Sequence, residues 1–243
     1  MENPTSIVLS RLMAQTRAMD VTATNIANAS TPGFRAGRTL FSAWLLREPR
    51  QAGGRATFVQ DRATYHERDP GPMSHTGNPL DLALADPDAF FSVQTPAGVR
   101  LTRAGHFTQS PTGGIVDEAG NPLLDSAGQP LALSPADRVV TVAGDGTITT
   151  ENGRAGRLGI VTPADPTAVT PEGGRLSATT SATGPSAAPR VVQGAIEGSN
   201  VSAIAEVTRM TDGLRQFQLA SQFLTSEAER EQSAIDKLAP KRS

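Results

Sequence analysis

Hydrophobic positions keep a helical period at both ends of the chain and change to a period of two between them. Near the start, Val8, Leu12, Met19 and Ile26 fall on the series 8, 12, 15, 19, 22, 26, whose steps of four and three trace one helical stripe. Gln15 and Thr22 dilute it. Asn3 followed by Pro4 reads as an N-cap with proline at the first helical position, where its missing N–H costs nothing. Thr31-Pro32-Gly33 predicts a stop near Asn28 and a tight turn over residues 31–34. At the other end Val207, Met210, Leu214, Phe217, Ser221, Leu224, Ala228, Glu231, Ile235 and Leu238 follow steps of three and four without interruption, a sustained heptad seam. With Ser202 as N-cap and Gly213 as the one breaker, this predicts a helix of roughly 37 residues, about 55 Å long.

In the middle, Leu82 and Leu84, Phe91 and Val93, and Val99 and Leu101 alternate with small or polar residues, as half-buried strands do. Turn signals recur at Ala97-Gly98, Gly113-Gly114, Ala119-Gly120-Asn121, Ala127-Gly128, Gly144-Asp145-Gly146 and Asn152-Gly153, predicting hairpins in a sandwich or partly open barrel. A pattern of small residue, Gly, Asn or Gln, Pro, Leu occurs at residues 76–80, 119–123 and 127–131, and reads as turn-into-strand chemistry. Its unequal intervals argue against a solenoid. Residues 162–190, rich in Thr, Ala, Pro, Gly and Ser, read as loop or poorly ordered edge.

These periods predict an α+β fold: N- and C-terminal helices forming a coiled-coil core domain, and a central, mainly antiparallel β domain. The expected divisions are residues 1–35 (amino-terminal helix and turn), 36–75 (extended connecting segment), 76–192 (β domain) and 193–243 (carboxyl-terminal segment with the long helix). A long helix is marginal by itself and needs a partner stripe. An antiparallel pair within the chain, packing on the β domain, and contact with other subunits all supply one, and periodicity does not choose among them. A head-to-tail contact that does not close would build an open helical filament.

Composition narrows the chemistry. Lys plus Arg is 22 against 24 Asp plus Glu, so no global charge draws the chain to nucleic acid or anionic membranes. Residues 35–68 carry seven arginines against three carboxylates, a local excess expected on a solvated surface. With no cysteine, disulfides and thiolate chemistry are excluded. The start lacks the charged and apolar run of a secretory signal peptide, and no stretch is long and apolar enough to span a membrane. His66, His75 and His106 lack metal-ligand spacing and read as unrelated surface histidines. No nucleophile elbow, P-loop or dinucleotide fingerprint is present, and Gly144-Asp145-Gly146 fits a hairpin turn better than a calcium loop. Neither catalytic, cofactor nor metal residues are expected, nor a small-molecule substrate, although a fold can assemble a triad that spacing does not show.

Three stretches carry a resemblance. Ala23-Thr24-Asn25-Ile26-Ala27-Asn28-Ala29-Ser30-Thr31-Pro32-Gly33-Phe34-Arg35 closely resembles the amino-terminal signature of flagellar rod and hook proteins, A-N-N-I-A-N-x-x-T-P-G-F-K/R, with Thr24 for the first Asn. Thr76-Gly77-Asn78-Pro79-Leu80-Asp81-Leu82-Ala83-Leu84 looks like that family's T-G-N-P-L-D-L-A-L, and residues 99–107 resemble its Y-T-R-A-G-x-F stretch, with Leu101 for Tyr. Gln193-Gly194 and Glu197-Gly198-Ser199-Asn200-Val201, leading into Glu206-Val207-Thr208-Arg209-Met210, are similar to Q-G-x-x-E-G-S-N-V-N-P-V-x-E-M-T-x-M, with Ser202-Ala203 for Asn-Pro and Val207 for Met. Length and the carboxyl-terminal residues look most like the family's proximal rod subunits, with distal rod subunits the close competitor.

The resemblance implies a structural subunit that is exported unfolded by the flagellar type III apparatus and built into the rod that transmits torque from motor to hook across the periplasm. Its partners would be other rod subunits, with possible contact to the basal-body rings. The implied assembly residues are Leu12, Met19, Asn25, Ile26, Asn28, Thr31, Pro32, Gly33 and Phe34 on the amino-terminal side, and Val207, Met210, Leu214, Phe217, Leu224, Ile235 and Leu238 on the carboxyl-terminal side. Gly77, Asn78, Pro79, Leu80 and Asp81 would open the β domain. For Asn25 and Asn28, helix-end capping is the plainer role, and Phe34 can be local core. The alternatives are a hook or distal-rod subunit with the same mechanics, and a periplasmic enzyme acting on the cell wall.

Overall fold

The structure, a computed structural model, describes residues 4–47, 55–134 and 137–238; for 4–7, 41–47, 55–63, 231 and 235–238 it describes the backbone only. It divides the chain into two compact units. One comprises residues 1–26, 37–66 and 202–243, and the other residues 27–36 and 67–201.

The first unit holds helices α1 (Pro4–Ala27) and α2 (Ala203–Leu238) and a hairpin of strands β1 (Gly37–Arg47) and β2 (Arg55–His66). Both helices fall where the apolar stripes put them; Asn3, the expected cap, lies outside the described residues. The 36 residues of α2 span about 54 Å. Residues 36–75, expected as an extended connecting segment, are for the most part extended and paired with themselves, from Gly37 opposite His66 to Arg47 opposite Arg55, with one register shift between Leu40 and Phe41. Runs such as Thr39-Leu40-Phe41 and Thr57-Phe58-Val59 favour extended backbone, and two such runs satisfy each other's ladder groups.

The second unit is antiparallel throughout its ladders. Its strands are β3 (Met73–His75), β4 (Leu82–Leu84), β5 (Phe90–Thr95), β6 (Gly98–Thr102), β7 (Thr108–Gln109), β8 (Ile115–Val116), β9 (Val140–Val142), β10 (Thr147–Thr150), β11 (Gly153–Arg157), β12 (Ile160–Pro163), β13 (Val169–Glu172), β14 (Leu176–Thr179), β15 (Thr183–Pro185), β16 (Val191–Gln193) and β17 (Ala195–Glu197). The largest sheet runs β13-β14-β6-β5-β12-β15. Residues 162–190, expected as loop or poorly ordered edge, contribute strands, β13 and β15 at the two edges of this sheet: their small and β-branched side chains suit an outer position even without apolar alternation. The core gathers Leu82, Leu84, Phe91, Val93, Phe107, Ile115, Leu123 and Ile148, with Phe91 and Phe107 edge to face at 5.4 Å. Val99, expected beside Leu101 in the core, is 54% exposed, because it stands at the open hairpin end of β6 while Leu101 lies further along, over the core.

The proline-leucine turns follow their expected chemistry and add one feature. Asp117 caps one turn by accepting from the backbone N–H groups of Ala119 and Asn121, and Asp125 caps the next from Ala127 and Gln129. The backbone of Ile115, Leu123 and Leu131 then closes a three-way ring: Leu131 donates to Leu123, Leu123 to Ile115 and Ile115 to Leu131. The short repeat thus wraps its buried residues around one axis. At the opening of the β domain, the Asn78 side chain accepts from Leu80 N–H and donates to Asp81, Pro79 presents its carbonyl to Gln193, and Gly77, at φ +76°, donates to the Gly194 carbonyl. Asp81 is buried and bonded at 2.7 Å to His106, so that histidine is part of the fold's polar framework, not an unrelated surface group.

Candidate assembly interface

Within the first unit the two helices meet along one antiparallel track. Asn25 bonds Glu206 at 3.3 Å, Gln15 donates to the Gly213 carbonyl at 2.7 Å, and Val8 shares a cleft wall with Phe223. Gly213, expected only as a breaker, is the close-approach point: a Cβ there would stand 3.3 Å from Met19. A mid-helix glycine costs about 1 kcal/mol of helix propensity, here offset by that packing.

The buried or half-buried side of α2 runs Glu206, Met210, Gly213, Phe217, Ala220, Leu224 and Glu227. Met210, Phe217 and Leu224 are thus on the expected face, but the companion row is displaced by one residue. Val207 and Leu214, expected in the seam, are 51% and 45% exposed. Small Gly213 and Ala220 let the helices approach, whereas Val207 and Leu214 on the neighbouring flank remain open, together with Leu219 at 67% and Phe223 at 48%. On α1, Leu12 is buried and Met19 and Ile26 are half-buried, while Leu9 and Met13 are exposed. Ile235 and Leu238 lie on α2, in residues whose side chains fall outside the description.

Asn25 is not a helix cap. Its amide accepts from Gly37 N–H at 2.8 Å and donates to Gly37 C=O at 3.0 Å, completing a ladder for β1. Glu206 lies beneath, its side chain 1% exposed, accepting from Arg38 at 2.7 Å and from Arg209. Burial pushes its carboxyl up, but the bonds from Arg38 and Asn25 and the two guanidinium charges outweigh burial and hold it below the usual carboxylate range. A depressed carboxylate contributes stability that is present above its unfolded pKa and is lost as pH falls through the folded value. Glu206→Gln should therefore cost about 1–3 kcal/mol at neutral pH, and its helix loss on acidification, followed by circular dichroism, should be less steep than in the unchanged chain. Equal acid slopes would contradict this role.

In the second unit the three signature stretches converge. The turn after α1 is closed by Thr31, whose N–H donates to the Asn28 carbonyl and whose hydroxyl donates to the Asn28 side chain, and Pro32 precedes Gly33 at φ +70°. Gly33 donates to the Glu197 carbonyl at 2.9 Å, and a Cβ on it would lie 2.5 Å from the Arg103 backbone. Phe34 is 4% exposed and its carbonyl accepts from Asn200, whose side chain in turn accepts from Ala36 N–H. Gly33 and Phe34, expected at a subunit interface, are thus taken up inside the chain's own β unit. Arg103, its side chain 2% exposed, bonds Glu197 through Nε at 2.6 Å and also donates to the carbonyls of Leu84, Asp86 and Ala89. Arg35 lies 3.7 Å from Glu197; burial, reinforced by the Arg103 charge, lowers its pKa to about 10. The arginine excess read as solvated surface is therefore partly internal: Arg35 and Arg38 serve Glu197 and Glu206, while Arg68 pairs outside with Asp88.

Glu197, Arg103, Glu206, Arg38 and Asn200 carry these junctions; apart from Arg38 they fall in the signature stretches, but the sequence assigned none of them an assembly role. Their partners lie far along the chain, so no local spacing marks them. Among the described residues no group of three His, Asp or Glu could hold a metal ion, and no helix is long and apolar enough to cross a membrane.

Comparison with known proteins matches the same three stretches. Residues 7–35 match the family described as "Flagella basal body rod protein", residues 86–173 the "Flagellar hook protein FlgE/F/G D1 domain", and residues 192–237 the "Flagellar basal body rod FlgEFG protein C-terminal". The chain is 34% identical to the flagellar basal-body rod protein FlgF of Caulobacter vibrioides, over 98% of both chains. It is 37% identical to FlgF of Escherichia coli, over 85% of this chain and 86% of that one, and 28% identical to the rod protein FlgG of Agrobacterium fabrum, over 91% and 94%. The chain belongs to the flagellar basal-body rod protein family. Within that family it is 30–37% identical to FlgF-named members over most of its length, and it is a structural subunit of the proximal rod.

Proposed function

We propose that α1 and α2 act as one coiled-coil element of the rod, placing the open flank of α2 against neighbouring subunits so that the assembled shaft carries torque. The observation that carries this reading is the pair Val207 and Leu214, 51% and 45% exposed along one flank of α2, beside the side that α1 occupies. Exposed apolar surface grouped on one face marks protein interaction sites. The partners are other rod and hook subunits, with contact to the basal-body rings. The site is the basal body across the periplasm, reached through the flagellar export apparatus. The role is mechanical, not enzymatic.

Asp in place of both Val207 and Leu214 tests it. These side chains are about half exposed, so the purified chain should keep its helix content and its stability within about 0.5 kcal/mol. Incorporation into basal bodies and motility should be lost. Normal incorporation of a charged α2 flank would sink the proposal.

A further inference from the structure

We infer that Asn152 is a site of spontaneous deamidation, and that its conversion to aspartate or isoaspartate frees residues 137–139 from the turn between β10 and β11. The chain has seven asparagines, and the residue after each decides how readily the backbone can attack the side chain. Asn3, Asn78 and Asn121 precede proline, whose nitrogen carries no hydrogen to lose. Asn25 and Asn200 precede Ile and Val, whose branched Cβ crowds the nitrogen, and their side chains are engaged by Gly37 and by Ala36 N–H. Asn28 precedes Ala, and its side chain accepts from the Thr31 hydroxyl. Asn152 alone precedes glycine, which has no side chain to shield its nitrogen.

The fold leaves that pair open. Glu151, Asn152 and Gly153 are exposed, Gly153 has φ +118°, and nothing lies within 4 Å of its Cβ position. Asp145-Gly146, at the other turn of the same sheet, is the contrast: the Asp145 carboxylate accepts from the Thr147 N–H and hydroxyl, and Gly146 N–H donates to the Ala143 carbonyl. At Asn152 the reaction balances with water alone. The Gly153 nitrogen gives its proton to solvent and bonds to the Asn152 side-chain carbonyl carbon; the bond from that carbon to Nδ2 breaks, Nδ2 takes a proton from solvent and leaves as ammonia, and a cyclic imide remains. Water opens the imide at either carbonyl, giving aspartate, or isoaspartate with an extra methylene in the backbone.

The consequence lies in what the amide holds. Asn152 Nδ2 donates to Asp137 at 2.6 Å, and Glu151 beside it accepts from Arg138 N–H at 2.7 Å and Val139 N–H at 2.9 Å. The turn thus fastens the residues that lead into β9. Deamidation replaces the donor facing Asp137 with a second carboxylate, so an attraction becomes a repulsion, and isoaspartate lengthens the short turn that aims Glu151.

Mass spectrometry of the purified full chain, incubated in mildly alkaline buffer, tests the site. Residue 152 should gain about 1 Da and accept methyl groups from an isoaspartate methyltransferase, at least about tenfold faster than any other asparagine, and Asn152→Gln should abolish the signal there. Amide exchange tests the release. Arg138 and Val139 should exchange about tenfold faster in the incubated chain and in Asn152→Asp, and Asp137→Asn/Asn152→Asp, which swaps donor and acceptor, should restore the slow rate. An unchanged mass at residue 152, or modification spread evenly over the asparagines, would overturn the site. Exchange unmoved by Asn152→Asp, or unrestored by the swap, would overturn the release.

Discussion

Arg103→Met should destabilise the β unit by about 3–5 kcal/mol, the largest effect expected of any single side-chain replacement in this chain. Arg103 and Glu197 are 2% and 1% exposed, so the substitution leaves a carboxylate in the interior with its nearest guanidinium removed. It also strands the carbonyls of Leu84, Asp86 and Ala89, three acceptors drawn from one loop that only a forked donor reaches together. Arg35, 3.7 Å from Glu197, is held too far away to replace it. Urea unfolding, read by hydrogen exchange at β17 and at residues 31–36, measures the loss. Adding Glu197→Met should recover a large part of it, since a buried pair removed whole costs less than one broken in half. A loss below about 1 kcal/mol for Arg103→Met alone would mean that the pair does not hold this junction.

Gly33→Val should cost about 3 kcal/mol or more, for two separable reasons. At φ +70° a branched side chain is strained wherever it sits, and a Cβ at 2.5 Å from the Arg103 carbonyl carbon forces the turn after α1 away from the Arg103 backbone. Gly120→Val isolates the first effect, because Gly120 has φ +84° and nothing within 4 Å of its Cβ position. A melting temperature about 10 °C lower for Gly33→Val, and a clearly smaller drop for Gly120→Val, is the expected result. Equal drops would show that the close approach to Arg103 contributes nothing.

The contrast between those two glycines also marks how far local sequence reaches. The turns were legible because glycine, proline and aspartate act on their own neighbours: each of the six expected turns holds a glycine at positive φ. Helix limits were legible for the same reason where described residues flank them: α1 ends at Ala27, next to Asn28, and α2 begins at Ala203, just after Ser202. Periodicity also found that α2 has an apolar face. It could not divide that face between two contacts, because Met210, Phe217 and Leu224 belong with Glu206, Gly213 and Ala220 on one side and with Val207 and Leu214 on the other. Only the position of α1 decides, and Gly213 decides that position by having no side chain. The pairing within residues 37–66 escaped notice because, although it joins consecutive strands, their apolar residues do not alternate cleanly. Arg103 and Glu197 escaped because a buried ion pair separated by most of a domain leaves no local trace; the signature stretches containing them were visible, but not that they meet.

Thiol labelling at residue 214 tests the assembly account most directly. Leu214→Cys places the chain's single thiol on the flank assigned to neighbouring subunits, at a position 45% exposed. Maleimide should modify it readily in the purified monomer and at least about tenfold more slowly in intact basal bodies, where about 1.4 kcal/mol of burial suffices for that factor. Equal modification rates in the two states would show that this flank faces water in the finished rod, and would contradict the assembly account.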